Sequence, residues 1–310
     1  ASRGLGDVYK RQDMNGVVLL YRDFSPEWID VLKDTGLKKL GLHVNAQQNS
    51  VGEFLGWLDL NRPLVERAEE CGLTVEYYLH ALGYLMPADF AKRREYWRSD
   101  GSERVRGCNC CPSSPALFYA EKNAERLAAG LKQRSHGYHF WTDDDFGRDV
   151  SCKCERCRPL GPTAQNMLLY SAMARGVRKY DEKAALSYLV YGNEDIDGKA
   201  GDTDGFFVEY APFLRRHDLP LSAKENDFYR KRAVSLAARF RPVSVLEYFL
   251  SFDYPSFCRG AQYARVKEDV AFYRSLGAKD VMTFAVFPEK DYVKKHGYGG
   301  IERYAALWRD

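Results

Sequence analysis

From residue 16 onward, short apolar runs alternate with longer stretches whose apolar positions return every three or four residues. The first run, Gly16–Tyr21 (GVVLLY), reads as a strand. Ser25-Pro26-Glu27 then opens a helix, with serine at the N-cap and proline in the first turn, where its missing N–H is no loss. Gly36 ends that helix and Gly72 the next, since glycine takes the left-handed cap conformation without strain. The alternation continues with strands over 39–44, 74–80, 138–142, 185–191, 206–210, 243–250 and 280–287. The helices between them span 53–71, 115–133, 165–180, 226–240 and 263–276, and a last one starts at Ile301. Eight strand–helix repeats imply parallel pairing, because each crossover carries a helix to the outer face. The fold expected is α/β, a single-domain (β/α)8 TIM barrel with long excursions after its third strand (83–114) and fourth (through Pro162). An open doubly wound sheet is the other arrangement such repeats allow. No Gly-rich phosphate loop follows the first strand, which counts against a nucleotide-binding sheet.

At 310 residues, 45% apolar and 29% charged, the chain has ordinary globular composition and a length suited to one such barrel. A formal charge of +3 without a basic run gives no reason to expect nucleic acid, and no stretch approaches the roughly 20 apolar residues of a membrane span. Aromatic residues reach 14%. Sugar rings present C–H faces that stack on aromatic rings, although an aromatic-rich core accounts for the same excess. Residues 1–12 are polar and lack the apolar centre of a signal peptide. Asp7 to Gln12 resembles the translated end of a transposon used in sequencing libraries, so 1–12 is expected to be an artefactual or disordered leader and 13–310 the barrel. Localisation is not legible in what is left.

Barrel enzymes carry their chemistry on the loops that follow the strands. In strand order those positions hold Tyr21 and Arg22, His43 and Asn45, His80 and Tyr84, and Asp143, Asp144 and Asp145. After these come Tyr191 and Asn193, Glu209, and Glu247 with Asp253 beyond it. Glycosidic cleavage needs two carboxyl groups flanking the bond, one protonated and one ionised. Asp144 after strand four and Glu247 on strand seven are the expected acid and nucleophile or base. Repulsion among three adjacent aspartates, Asp143 included, would raise one pKa into the range of a general acid. The bland alternative is that some of the three cap a helix or orient a loop. Glu209 and Glu247 stand inside apolar strands, where a carboxylate facing packed core is expensive, so an inward position lining the barrel mouth is expected of both. His43, His80 and Glu209 would hold hydroxyls, Trp141 and Tyr84 would stack on sugar rings, Tyr191 would line the cleft, and Arg22 would pair with a substrate carboxylate. For His43 and His80 a structural role is an equal reading. His136, His139, His217 and His296 show no metal spacing and receive no role.

Six of eight cysteines fall in the two excursions: Cys108, Cys110 and Cys111 in the first, Cys152, Cys154 and Cys157 in the second. The loops follow neighbouring strands and can meet above the mouth. Cys111, Cys152, Cys154 and Cys157 would make a tetrahedral thiolate site for a structural zinc ion. Disulfides in an exported protein, or free thiols, are the competing readings. Cys71 and Cys258 read as packing cysteines.

Several segments together resemble uncharacterised family 4838, a domain of unknown function whose fold is that of barrel glycoside hydrolases such as α-glucuronidases. They are LHALGYLMP (79–87), NCCPSSPAL (109–117), YHFWTDD (138–144), CKCERC (152–157), FVEYAPFLR (207–215), LEYFLSFD (246–253) and the tail with Tyr292 and Gly297-Tyr298-Gly299. The resemblance spans most of residues 70–310. It implies a barrel with a saccharide-related role in polysaccharide-degrading bacteria, and it places His80, Trp141, Asp143, Asp144, Glu209 and Glu247 in the cleft without assigning their roles. Two positions depart from the family pattern: Ser114-Pro115-Ala116 stands where Asn-Pro-Glu is common, and an asparagine is replaced near Ser171.

The function expected is glycoside hydrolysis of an oligosaccharide or polysaccharide fragment, with no cofactor required for catalysis. A non-catalytic carbohydrate-binding barrel is the alternative. The sequence gives no oligomeric state.

Overall fold

In a computed structural model, residues 14–44, 51–144, 149–191, 205–240, 242–250, 260–285, 293–294 and 297–308 are described. Eight parallel strands close into a barrel: β1 (Met14–Leu20), β2 (Lys39–Val44), β3 (Thr74–His80), β6 (Gly137–Trp141), β7 (Ala185–Val190), β8 (Phe206–Tyr210), β9 (Val243–Glu247) and β10 (Asp280–Phe284). They neighbour one another in chain order, and β10 returns to β1 with Val17 opposite Thr283. The expected barrel is therefore the observed one. The helices are α1 (Pro26–Thr35), α2 (Val51–Glu70), α3 (Leu82–Leu85), α4 (Ala116–Leu131), α5 (Gly161–Tyr180), α6 (Asp227–Arg239), α7 (Gly260–Ser275) and α8 (Gly299–Ala306). None among the described residues is long and apolar enough to cross a membrane.

Each helix buries the stripe its spacing predicts; α4 turns Ala116, Ala120, Ala124, Leu127, Ala128 and Leu131 inward. Gly36 and Gly72 take φ of 77° and 88°, as the caps require. Ser25 is the N-cap residue of α1, but its hydroxyl bonds the Glu27 carboxylate rather than a backbone N–H, so the cap is not made as expected. The first excursion contains a hairpin that the expected loop did not include, β4 (Trp97–Ser99) antiparallel to β5 (Arg104–Cys110). The Asp100-Gly101 dipeptide at its turn was the available signal, with Gly101 at φ 113°. Cys71 is exposed and not a packing residue.

Candidate functional site

Side chains alternate across each strand, so the strand ends sort into an inner and an outer set. The inner set is charged in its lower and middle layers. Lys39 Nζ meets Glu76 at 2.5 Å and Asp280 at 3.4 Å. Glu76 Oε2 lies 2.8 Å from His139 Nε2, and Glu209 Oε2 lies 2.9 Å from His139 Nδ1. Ser187 donates to Glu209 at 2.5 Å and accepts from Trp141 Nε1 at 3.0 Å. All of these are buried. Each ring nitrogen of His139 faces a carboxylate oxygen, an arrangement that favours the imidazolium form. Burial opposes that charge, but Glu209 and then Glu76 overcome it and raise the His139 pKa. Burial likewise works against Glu76, yet Lys39 and His139 hold it down to about 2. Tyr78 stacks on the His139 ring at 3.7 Å, a favourable face for a cation.

This network corrects two expectations. His139, given no role from spacing, is the charged centre of the barrel; its place in mid-strand, where an unpaired polar ring would be costly, was the available signal. Glu209 faces inward as expected, but it sits below the mouth and is committed to His139 and Ser187, not lining a cleft.

Glu247 departs further. Its neighbours Ser244 and Leu246 belong to the inner wall, whereas Glu247 turns outward to the helices. Its carboxylate accepts from Tyr273 Oη at 2.6 Å and from Arg215 at 3.3 Å, and Arg215 also bonds Asp269 of α7 at 3.0 Å. Glu247 is fully buried. With its oxygens held by Tyr273 and Arg215 and no surface exposed, Glu247 is not presented as the expected partner of Asp144. A carboxylate in an apolar strand is satisfied equally well by an arginine from the helix side, and nothing in the spacing distinguishes the two sides.

The upper layer closes the barrel with rings. His43, His80, Trp141 and Phe284 lie edge to face or tilted, with centroids 5.1–6.2 Å apart. Trp141 is buried with its N–H committed to Ser187, so it forms the floor and is no stacking platform. His43 Nδ1 lies 3.0 Å from the Tyr78 carbonyl and His80 Nδ1 2.7 Å from that of Thr142. A carbonyl accepts, so both rings carry the proton on Nδ1 and present Nε2 as the other edge. Burial, and then the neighbouring His80, lower the His43 pKa to about 3.

At the rim, Asp144 is partly exposed and accepts from Tyr191 Oη at 3.1 Å. Tyr191 stacks on Phe213 at 5.4 Å. Asp143 points elsewhere: its two oxygens accept from the backbone N–H groups of Gly83 at 3.0 Å and Asn109 at 2.9 Å. Burial raises its pKa against those bonds. It orients a loop, which is the bland reading of the aspartate run. Arg22 is held by Tyr21 at 2.8 Å and Glu53 at 3.2 Å. Tyr84 is 46% exposed. Asn45, Asp145, Asn193, Asp253, Cys258, His296 and the leader 1–12 lie outside the described residues.

A cavity of about 220 Å³ opens at the opposite, N-terminal mouth, lined by Lys39, Glu76, Lys279 and Asp280. Among the described residues the cleft between His80, Asp143 and Tyr191 is far smaller, about 20 Å³. In the larger space Lys39, Glu76 and Asp280 are already paired with one another, and barrel chemistry resides at the C-terminal rim, so the rim is the candidate site.

Beside the rim, the Sγ atoms of Cys111, Cys152, Cys154 and Cys157 all lie within 4.8 Å of one another. Cys111 Sγ stands 3.6 Å from that of Cys157 and 3.9 Å from that of Cys154. These are too long for disulfides, at about 2.05 Å. A tetrahedral ion with metal–sulfur bonds of about 2.3 Å would set sulfurs about 3.8 Å apart. The cluster could hold a metal.

No known family model matches the chain, and no curated protein sequence matches it. Solved structures do. A β-galactosidase from the psychrophilic Marinomonas ef1 aligns over 96% of this chain and 59% of its own, at 13% identity and a TM-score of 0.60. A tri-modular endo-β-1,4-glucanase from Bacillus licheniformis aligns over 98% and 60%, at 11% identity and 0.57. The catalytic domain of a β-amylase from Paenibacillus polymyxa aligns over 95% and 97%, at 8% identity and 0.55. The chain thus spans about three fifths of the first two and nearly all of the third. At these identities the likeness is one of fold alone, a closed barrel that these glycoside hydrolases also have.

Proposed function

We propose that this chain handles oligosaccharides or polysaccharide fragments at the C-terminal rim and cleaves a glycosidic bond with Asp144 as general acid. The observation that carries the reading is the partly exposed Asp144 carboxylate beside Tyr191, at the end of the barrel where His43 and His80 also stand and where such folds place their chemistry. The solved neighbours, a galactosidase, a glucanase and an amylase, support a saccharide as the partner class. Nε2 of His43 and His80 would accept sugar hydroxyls, and Tyr84 is the ring exposed enough to stack. Hydrolysis requires a second carboxyl group. Glu247 and Glu209 are committed elsewhere, so it is sought in segments 145–148 and 251–259, which follow β6 and β9 in the chain and carry Asp145 and Asp253. No cofactor enters the reaction; the cysteine cluster would hold a structural zinc ion.

One observation favours the second reading, a barrel that binds saccharide without cleaving it: Asp143, Glu209 and Glu247 all serve protein donors. Reducing-sugar release across an oligosaccharide panel decides between them. Cleavage predicts turnover that Asp144→Asn abolishes while binding, measured by calorimetry, persists. Binding with no turnover on any member would establish the second reading, and neither binding nor turnover would end both.

A further inference from the structure

Three of the contacts between the two excursions bear on the rim. One is the thiol cluster. The second is a seam in which the Ser99 N–H reaches Cys152 Sγ at 3.2 Å and the Lys153 N–H reaches the Ser99 carbonyl at 2.7 Å. The third is a reciprocal pair between Asn109 and Asp143. Asp143 Oδ2 accepts the Asn109 N–H at 2.9 Å, and the Asp143 N–H donates to Asn109 Oδ1 at 3.3 Å.

Asn109 holds φ of 59°. Asparagine takes that left-handed conformation more readily than other residues with a β-carbon, which suits it to a sharp change of chain direction here. What surrounds it is the end of β5: Cys110 pairs with Trp97, the Cys111 N–H donates to the Tyr96 carbonyl at 2.8 Å, and the Cys111 sulfur enters the cluster. Asp143 in turn is followed by Asp144. Four thiols left to themselves exchange only weak S–H···S contacts, and four thiolates repel. A cation is what would make the junction firm.

We propose that a zinc-class cation bound by Cys111, Cys152, Cys154 and Cys157 positions the rim. The ion fixes Asn109, Asn109 fixes Asp143, and Asp143 fixes the backbone that carries Asp144. The metal touches no substrate, yet saccharide handling depends on it. This rests on the zinc reading given above, and its test separates the two.

The full chain is purified and its metal content measured, and the site is reloaded with Co²⁺ to look for thiolate-to-cobalt charge-transfer absorption. Amide hydrogen exchange is then followed with Zn²⁺ bound and after removal by 1,10-phenanthroline, with α1 as internal reference. About one zinc per chain is expected. Removal should speed exchange by about tenfold or more at 83, 109–111 and 143–144 while α1 is unchanged, and added Zn²⁺ should reverse it. A chain that takes up neither zinc nor cobalt overturns the zinc reading and this inference together. Bound zinc whose removal leaves exchange at 109 and 143–144 unchanged overturns the positioning role alone. Should the zinc-free chain unfold throughout, Asp143→Ala decides with the metal in place: exchange at 144 rises while zinc content holds, and no rise at 144 overturns the inference.

Discussion

Glu247 and Tyr273 share a 2.6 Å hydrogen bond on the helix-facing side of the barrel wall, with Arg215 closing the carboxylate from the other side. Removing the carboxylate leaves a buried guanidinium with Asp269 as its remaining acidic partner. Glu247→Ala should therefore destabilise the fold by about 3–5 kcal/mol, read from urea denaturation. A variant of unchanged stability that loses turnover would instead return Glu247 to a catalytic role.

His43 makes stability depend on acid. Burial first, then His80, hold its folded pKa at about 3, below the ordinary value of 6.5. The folded state therefore favours the neutral ring, so the contribution is complete above pH 6.5 and is lost as pH falls towards 3. Relative to His43→Asn, the unaltered chain should lose about 1.4 kcal/mol per pH unit across that window. Parallel stability curves for the two proteins would refute the assignment. His139 runs the other way: its folded pKa is raised, so its contribution is present below pH 6.5 and fades as pH climbs through the raised value.

Tyr84 offers its ring to solvent beside the rim. Tyr84→Ala should weaken saccharide binding by up to about tenfold, the scale of one aromatic contact, with an unchanged melting temperature. Titration calorimetry on the best ligand of the panel measures it, and unaltered affinity would remove Tyr84 from the site.

Gly41 is a packing requirement inside the barrel. A β-carbon there would come within 2.6 Å of the Tyr78 ring and 2.9 Å of Val18. Tyr78 cannot retreat, because His139 stacks against it at 3.7 Å. Gly41→Ala should cost about 1–3 kcal/mol, visible as a lower melting temperature.

The barrel was legible because periodicity records which face of each element is buried, and that pattern survives without any knowledge of partners. The cysteine cluster was legible for a related reason: thiols have few uses in charged loops, and neighbouring strands bring their loops together. The carboxylates were not. Glu247 and Glu209 occupy similar apolar contexts, yet one faces Arg215 among the helices and the other His139 in the interior. The difference is set by strand register, which a one-residue shift reverses. Asp143 and Asp144 are adjacent in the loop after β6 and still divide into a loop anchor and a rim group, because their partners, the Gly83 and Asn109 N–H groups for one and Tyr191 for the other, come from different loops.

The ladder from Asp280 through Lys39, Glu76, His139 and Glu209 to Ser187, roofed by Trp141, works as a stopper. Among the described residues these buried side chains fill the cylinder between its two mouths. On the function proposed above, a long polymer would lie across the top like a beam over a capped well, or arrive tip first and halt at the histidine lid. Loops grafted at the upper edge can then change what is gripped without disturbing the charged plug that keeps the wall upright.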